Sequence, residues 1–163
     1  MQVGRQSLEI AENRSNRPEP PQPPDEAERI ASLGRTGLLD TPSDARFDTF
    51  TRLAARMLSV PIALVTLLDS DRQWFKSAVG FEQGNGTSRN IAFCAYAVLD
   101  PHQPLVVEDA LQDPRFANNP LVTGPERIRF YAGAPVLDAA GHALGTAGMQ
   151  QASVAASRTG TRS

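Results

Sequence analysis

The sequence predicts an α+β fold with an antiparallel sheet. Helical and extended patterns do not strictly alternate: two amphipathic stretches come first, a hairpin follows, and a second antiparallel pair closes the chain. Links within the strand pairs are short and built from turn residues, as in Asp69-Ser70-Asp71 and Asp138 to Gly141, which suits hairpins rather than crossovers.

Composition narrows the class. The 163 residues fit one domain of the usual ~100–200 residues. A net charge of -2 argues against a nucleic-acid-binding module with its basic stripe. One Cys allows neither an internal disulfide nor a multi-thiolate zinc site. No apolar run approaches the ~20 residues of a membrane span, and Met1 to Arg17 lacks the apolar core of a signal peptide. The expectation is a soluble cytoplasmic protein with no nucleic-acid or membrane partner.

Three segments follow from composition. Residues 18–24 hold five Pro in seven, which favours extended geometry, and 1–24 reads as a disordered Pro-rich arm. Residues 25–150 form the domain. From Ala147 the chain turns small, polar and weakly basic, so 151–163 reads as a disordered tail, and the strand begun at His142–Thr146 is expected not to continue.

Within the domain, Asp25 and Glu28 make a box-like helix start. Ala27, Ile30, Leu33, Gly34 and Leu38 share one face, and Gly37 is a stop signal. Thr41-Pro42 opens a second helix over 43–58 by the cap-then-Pro rule. Phe47, Phe50, Leu53, Ala54, Met57 and Leu58 recur at three- and four-residue steps, with Arg46, Asp48, Arg52 and Arg56 opposite. Pro61 ends the pattern. Ile62 to Leu68 is nearly all apolar and rich in branched residues, a strand buried on both faces. Gln73 to Val79 completes a hairpin, Gly80 to Asn90 is a loop, and Ile91 to Leu99 leans helical. Leu105 to Glu108 is a short strand, and Asp113-Pro114 starts a helical turn. Phe130 to Leu137 is a strand whose Pro135 needs an edge or bulge position, because it lacks a ladder donor.

The segment resembles a GAF domain, the sensor module similar to PAS domains, of the subtype at the N-termini of bacterial sensor histidine kinases and diguanylate cyclases. The matching words are Gly37-Leu38-Leu39-Asp40-Thr41-Pro42, Phe47-Asp48 with Thr51-Arg52-Leu53-Ala54, Val60-Pro61-Ile62-Ala63-Leu64-Val65 and Asp71-Arg72-Gln73-Trp74-Phe75-Lys76-Ser77. Further on come Phe93-Cys94-Ala95, Asp113-Pro114-Arg115-Phe116-Ala117, Asn119-Pro120-Leu121-Val122, Ile128 to Pro135, and Gly141 with Leu144-Gly145-Thr146. The resemblance implies an antiparallel sheet of five to six strands, helices packed on one face, and a pocket roofed by the 80–125 loops on the other. The match is expected to end near 146, short of the family's usual bulky last strand and output domain. A truncated or frame-shifted relative is the corresponding expectation.

Candidate chemistry is sparse. The resemblance to phytochrome-like relatives raises tetrapyrrole attachment at Cys94, but Ala95 and Tyr96 stand where that subtype carries His, and a free Cys is more often a buried structural residue. Relatives that reduce methionine sulfoxide need several cysteines. Asp69 and Asp71 flank a turn, Asp113 caps a helical turn, and Asp109 shows no partner pattern. His102 and His142 have no nucleophile near in sequence and no metal spacing. Asn118-Asn119 and Phe130 lack the Lys and Asp-Glu pair of cyclic-nucleotide-binding relatives, and Gly80, Gly84 and Gly86 do not space as a phosphate loop. The candidate pocket residues are Trp74, Cys94, Tyr96, Arg115, Phe116, Asn119, Arg129 and Tyr131. Strand alternation puts Trp74 and Phe75, and Phe130 and Tyr131, on opposite faces. Arg115 and Asn119 read equally as groups that stabilise their own loop through backbone bonds.

The reading is a non-enzymatic sensor domain with a small-molecule ligand, its cofactor unidentified. Its partner is a second copy or a full-length sensor protein, met through helices 26–36 and 43–58. The alternatives are a vestigial interaction module without ligand, or a tetrapyrrole photosensor.

Overall fold

The computed structural model describes residues 19–81 and 85–152. Most of the expected arm and tail lie outside these residues, and within 19–24 Pro20 and Pro23 are buried. The elements are α1 (Glu26–Thr36), α2 (Ala45–Met57), β1 (Ile62–Leu68), β2 (Arg72–Val79), β3 (Gly86–Ser88), α3 (Cys94–Ala97), β4 (Leu105–Val107), α4 (Pro120–Thr123), β5 (Ile128–Leu137) and β6 (Ala143–Ala152). A 3-10 turn, Arg89–Ile91, precedes α3.

The six strands form one antiparallel sheet in the order β3-β2-β1-β6-β5-β4. β1 is buried along its whole length, as its apolar run requires. The largest correction to the sequence reading is β6. It does not stop at Thr146 but runs to Ala152, with Ala147 to Gln150 bonded to β1 on one side and β5 on the other. At Gly148 a Cβ would meet the Ala132 carbonyl oxygen at 3.0 Å and the Tyr131 ring at 3.6 Å. A Cβ on Gly133 would lie 2.1 Å from the Tyr131 hydroxyl oxygen, so the Tyr131 ring lies across Gly133, beside its partner Gly148. Pro135 sits beyond the last β4 pairing, Leu105 with Gly133, so its missing donor faces no neighbour strand there.

Helices α1 and α2 cover one face. Leu33 of α1 packs with Leu67 and Leu144, and Leu38, Leu39 and Trp74 close over them. Asp25 makes no side-chain cap bond, contrary to the box-like pattern. Instead Glu26 accepts from Arg29 Nε and Nη2 at 2.9 and 3.0 Å, and from Arg89. Arg29, fully buried, donates to the Leu68 carbonyl at 2.7 Å. Helix α2 is capped by Asp44, which accepts from the Arg46 N–H at 2.9 Å, not by Thr41. Thr41 is committed elsewhere, donating to the Leu38 carbonyl and accepting from Lys76.

The orientation of α2 is a second correction. Thr51 is its buried residue, donating to the Ser77 hydroxyl at 2.7 Å. Phe50, Leu53 and Leu58 are each 53 % exposed and Met57 is 75 % exposed. The apolar stripe therefore points largely away from the sheet.

On the opposite face, residues 89–123 with α3 and α4 pack a second core: Leu64, Phe75, Phe93, Phe116, Val122 and Tyr131 among others.

Candidate functional site

The loop-covered face brings together most of the residues predicted for a pocket. The Phe93 ring stacks on Phe116 at 4.4 Å and on Tyr131 at 5.1 Å, and Tyr96 meets Phe116 edge-on at 5.1 Å. Such stacked and edge-on pairs each add about 0.5–1.5 kcal/mol beyond burial. Phe93, Phe116 and Tyr131 are all buried, so the space under the loops is filled by the protein's own rings.

A line of hydroxyls runs beneath the rings. The Tyr131 hydroxyl donates to Thr146 Oγ1 at 3.3 Å, and Thr146 Oγ1 lies 3.1 Å from Thr66 Oγ1. Cys94 is fully buried beside Thr66. Burial pushes its thiol up to about 12, against the opposing Thr66 hydroxyl and the charges of Arg89 and Arg29. Burial also raises Tyr131 well above the ordinary phenol value. Neither group is ionised near neutral pH, so neither serves there as a thiolate nucleophile or a phenolate base. Gln150, opposite both Tyr131 and Ile62, is 4 % exposed, and its Oε1 has no partner among the described residues.

The polar candidates do other work. Asn119 caps α4, accepting from Leu121 N–H at 2.9 Å, and donates to the Ile91 carbonyl at 3.0 Å. Arg129 donates to the Val122 and Ile128 carbonyls at 2.8 and 3.1 Å. Arg115 forks onto Asp113 at 3.0 and 2.7 Å and lies 5.2 Å over the Phe116 ring. All three hold the 113–129 segment over the aromatic stack. Trp74 is not brought to this site. It faces the helices, packed against Leu33, Leu67 and Leu144, while Phe75 faces the loops, as alternation predicts. His142 bonds to Asp138 at 2.9 Å and steadies a turn. Among the described residues no cluster of three His, Cys, Asp or Glu offers a metal site, and no helix is long and apolar enough to cross a membrane.

The helix side holds a site that sequence motifs passed over. A bulge between Val65 and Thr66 pairs Thr66 with Phe75 and Val65 with Ser77, leaving Lys76 unpaired in the register. Lys76 turns toward the helices and is only 5 % exposed. Its ammonium donates to Thr41 Oγ1 at 2.7 Å and the Pro42 carbonyl at 3.0 Å, and lies 5.6 Å over the Phe47 ring. Ser77 beside it donates to Asp48 at 2.7 Å. The available signal was a lysine inside a strand pattern, two positions from a tryptophan.

Comparison with known proteins agrees with this architecture. The sequence profile of the GAF domain family matches residues 42–159, past the end near 146 that the sequence words suggested. The chain is 44 % identical over 122 residues to a protein of Pseudomonas aeruginosa named a cyclic di-GMP phosphodiesterase. The match takes in 75 % of this chain and 20 % of that protein, so the chain spans about a fifth of its relative's length. Two solved structures share the fold. One is the GAF domain of an Acinetobacter phosphoenolpyruvate-protein phosphotransferase, with TM-score 0.51, 16 % identity, and 76 % of this chain and 77 % of that one covered. The other is a free methionine-R-sulfoxide reductase of Neisseria meningitidis, with TM-score 0.53, 15 % identity, and 77 % and 72 % covered.

Proposed function

The chain belongs to the GAF domain family, and from that premise we propose that it is a regulatory, non-catalytic domain of cyclic di-GMP signalling in bacteria. It acts by shifting a conformational equilibrium in an enzyme it is joined to or binds. The observation that carries this reading is the 44 % identity to part of a phosphodiesterase, over a segment that is one fifth of that protein.

The geometry supports the non-catalytic part. The one cysteine is a sealed thiol, and the buried tyrosine is a neutral hydrogen-bond donor. The site for a small molecule is the loop face, where Tyr96, Phe116 and Tyr131 converge. Ligand entry there displaces Phe116 and the segment that Asn119 and Arg129 tie down, so occupancy is read out as loop movement. Cys94 then acts as packing beneath the site, which disfavours tetrapyrrole attachment. The association surface is α2 rather than α1, because α2 carries the exposed apolar stripe. The domain works in the cytoplasm, where cyclic dinucleotides signal.

The test has two arms. In one, the purified chain is incubated with cyclic di-GMP and hydrolysis is followed by chromatography. In the other, the chain replaces the matched segment of the Pseudomonas phosphodiesterase. The expected result is no hydrolysis by the chain alone, and turnover in the chimera that differs from a deletion of the segment. Hydrolysis by the isolated chain, or a chimera indistinguishable from the deletion, overturns the reading.

A further inference from the structure

A cleft of about 610 Å³ opens on the helix side, between the α1–α2 connection, α2 and β2. Lys76, Arg52, Asp48, Ser77, Thr41 and Trp74 are among its lining residues. It shares no lining residue with the aromatic stack of Phe93, Phe116 and Tyr131, although Phe75 at the edge of the loop-face core also borders it.

Its charges do not balance. A buried ammonium is ordinarily paired with an acid. Both acceptors of Lys76 are neutral, and an ammonium has three donors, so one is left over. Among the described residues no carboxylate forms an ion pair with Lys76 or with Arg52. Asp44 feels the Lys76 charge but is engaged by Arg46 at 2.7 Å. Among the described residues Asp48 is the one acid in the lining, and it accepts from Ser77. Two cations against one carboxylate leave a single positive charge. One monoanion neutralises the cleft, whereas a phosphate dianion leaves a negative surplus beside Asp48. The walls contributed by Trp74, Ala78 and Val79 suit a hydrocarbon body rather than a bare ion.

We propose that this cleft is a second binding site, one that takes a small aliphatic or aromatic monocarboxylate with its head held by Lys76 and Arg52. The site is independent of the loop-face reading, which stands or falls separately. Because Trp74 is the chain's only tryptophan and lines the cleft, occupancy changes its emission.

The experiment titrates the full chain with sodium hexanoate while Trp74 emission is followed. Inorganic phosphate and hexanamide serve as comparators for charge and for hydrocarbon. Saturable binding of hexanoate is expected, with phosphate and hexanamide each about tenfold weaker or more. Arg52→Gln, at an exposed position, keeps the fold and weakens hexanoate about tenfold, the scale of one charge-assisted hydrogen bond. Lys76→Met does the same where circular dichroism shows it folded. No saturable change, equal binding of hexanamide or phosphate, or an unchanged Arg52→Gln affinity overturns the proposal.

Discussion

The Glu26 carboxylate accepts a hydrogen bond from Arg89 across 63 positions of chain, tying the first turn of α1 to the 3-10 turn beyond β3. Arg29 binds the same carboxylate, and its other nitrogen reaches the Leu68 carbonyl at the end of β1. One acid thus holds two buried guanidinium groups at one end of the sheet. Arg89 also reaches the Asp69 carbonyl at 2.9 Å. The cluster locks the helix layer and the start of the loop layer to the same strand end.

Acid should loosen this lock. Burial alone raises the Glu26 carboxyl, but hydrogen bonds and charge from Arg29 and Arg89 outweigh it and hold the group at about 2, below the ordinary 4.5. A depressed carboxyl stabilises the fold above its unfolded value, and that contribution is lost as pH falls through its folded value. The window is therefore pH 4.5 down to about 2, with an amplitude on the order of 3 kcal/mol. Urea unfolding across that range should show the loss in the wild type. Glu26→Gln should be less stable at neutral pH and show a shallower acid dependence. An identical acid profile in the variant would remove Glu26 from the account.

Cys94 is expected to be chemically silent in the folded protein. With its thiol pushed up to about 12, the thiolate fraction at pH 8 is on the order of one in ten thousand. A chromogenic disulfide reagent should react only after denaturant is added. Reaction at the rate of a free thiol in the native state would restore Cys94 as a redox or attachment site.

Tyr131 and Gly133 form a coupled pair. A methyl group at position 133 enters the volume of the Tyr131 ring, with contacts of 2.1 to 3.0 Å. Gly133→Ala should cost about 1–3 kcal/mol, the usual scale of overpacking. Tyr131→Leu should also destabilise, by emptying part of the stack on Phe93. The double variant should be less damaged than the sum, because shortening the side chain frees the space the methyl needs. Strict additivity in thermal melts would show that the ring and the glycine are not in contact.

Much of this fold is legible in the residues, and the failures are instructive. The β1–β2 hairpin is readable because six apolar residues and one Thr before Asp69-Ser70-Asp71 admit few other structures. β6 is not, because Ala147, Gly148 and Gln150 have low strand propensity. The fit of Gly148 appears only once the Tyr131 ring is seen beside it. In α2 the three- and four-residue spacing identifies a helix, yet periodicity does not say what an apolar stripe faces. Here Thr51 and its bond to Ser77 choose the inward side, and the stripe is left outside. At the loop site Tyr96, Phe116 and Tyr131 converge as read, whereas Trp74 belongs to the other face. Lys76 escaped notice because its burial comes from a bulge, and a bulge leaves no periodic trace.

The α2 stripe should mediate self-association. Four large apolar side chains, each more than half exposed, sit on one helix or directly after it. Leu53→Glu places a charge in the middle of that patch. Sedimentation should show a dimer for the wild type and a monomer for the variant. Because the position is exposed, unfolding should change by no more than about 0.5 kcal/mol. A wild-type monomer, or a variant that still dimerises, would rule the stripe out as the self-interface.

The central strand offers the sharpest test of how the sheet is closed. Residues Ala147 to Gln150 bond β1 from Val65 back to Ile62, and β5 from Ala134 back to Tyr131. A chain ending at Thr146 removes most of both ladders at once, leaving only the pairings of Ala143 to Thr146. It exposes backbone groups of β1, which is otherwise fully buried, and an unpaired buried N–H or C=O costs about as much as a lost hydrogen bond. It also withdraws Gly148 from beside the Tyr131 ring. At about 0.5–1.5 kcal/mol per lost bond, these together are comparable with the 5–15 kcal/mol that typically separates a folded domain from its unfolded chain. The full chain should therefore melt in a single cooperative transition, and the chain ending at Thr146 should show none. Cooperative melting of the shortened chain would mean that β1 and β5 find another way to pair.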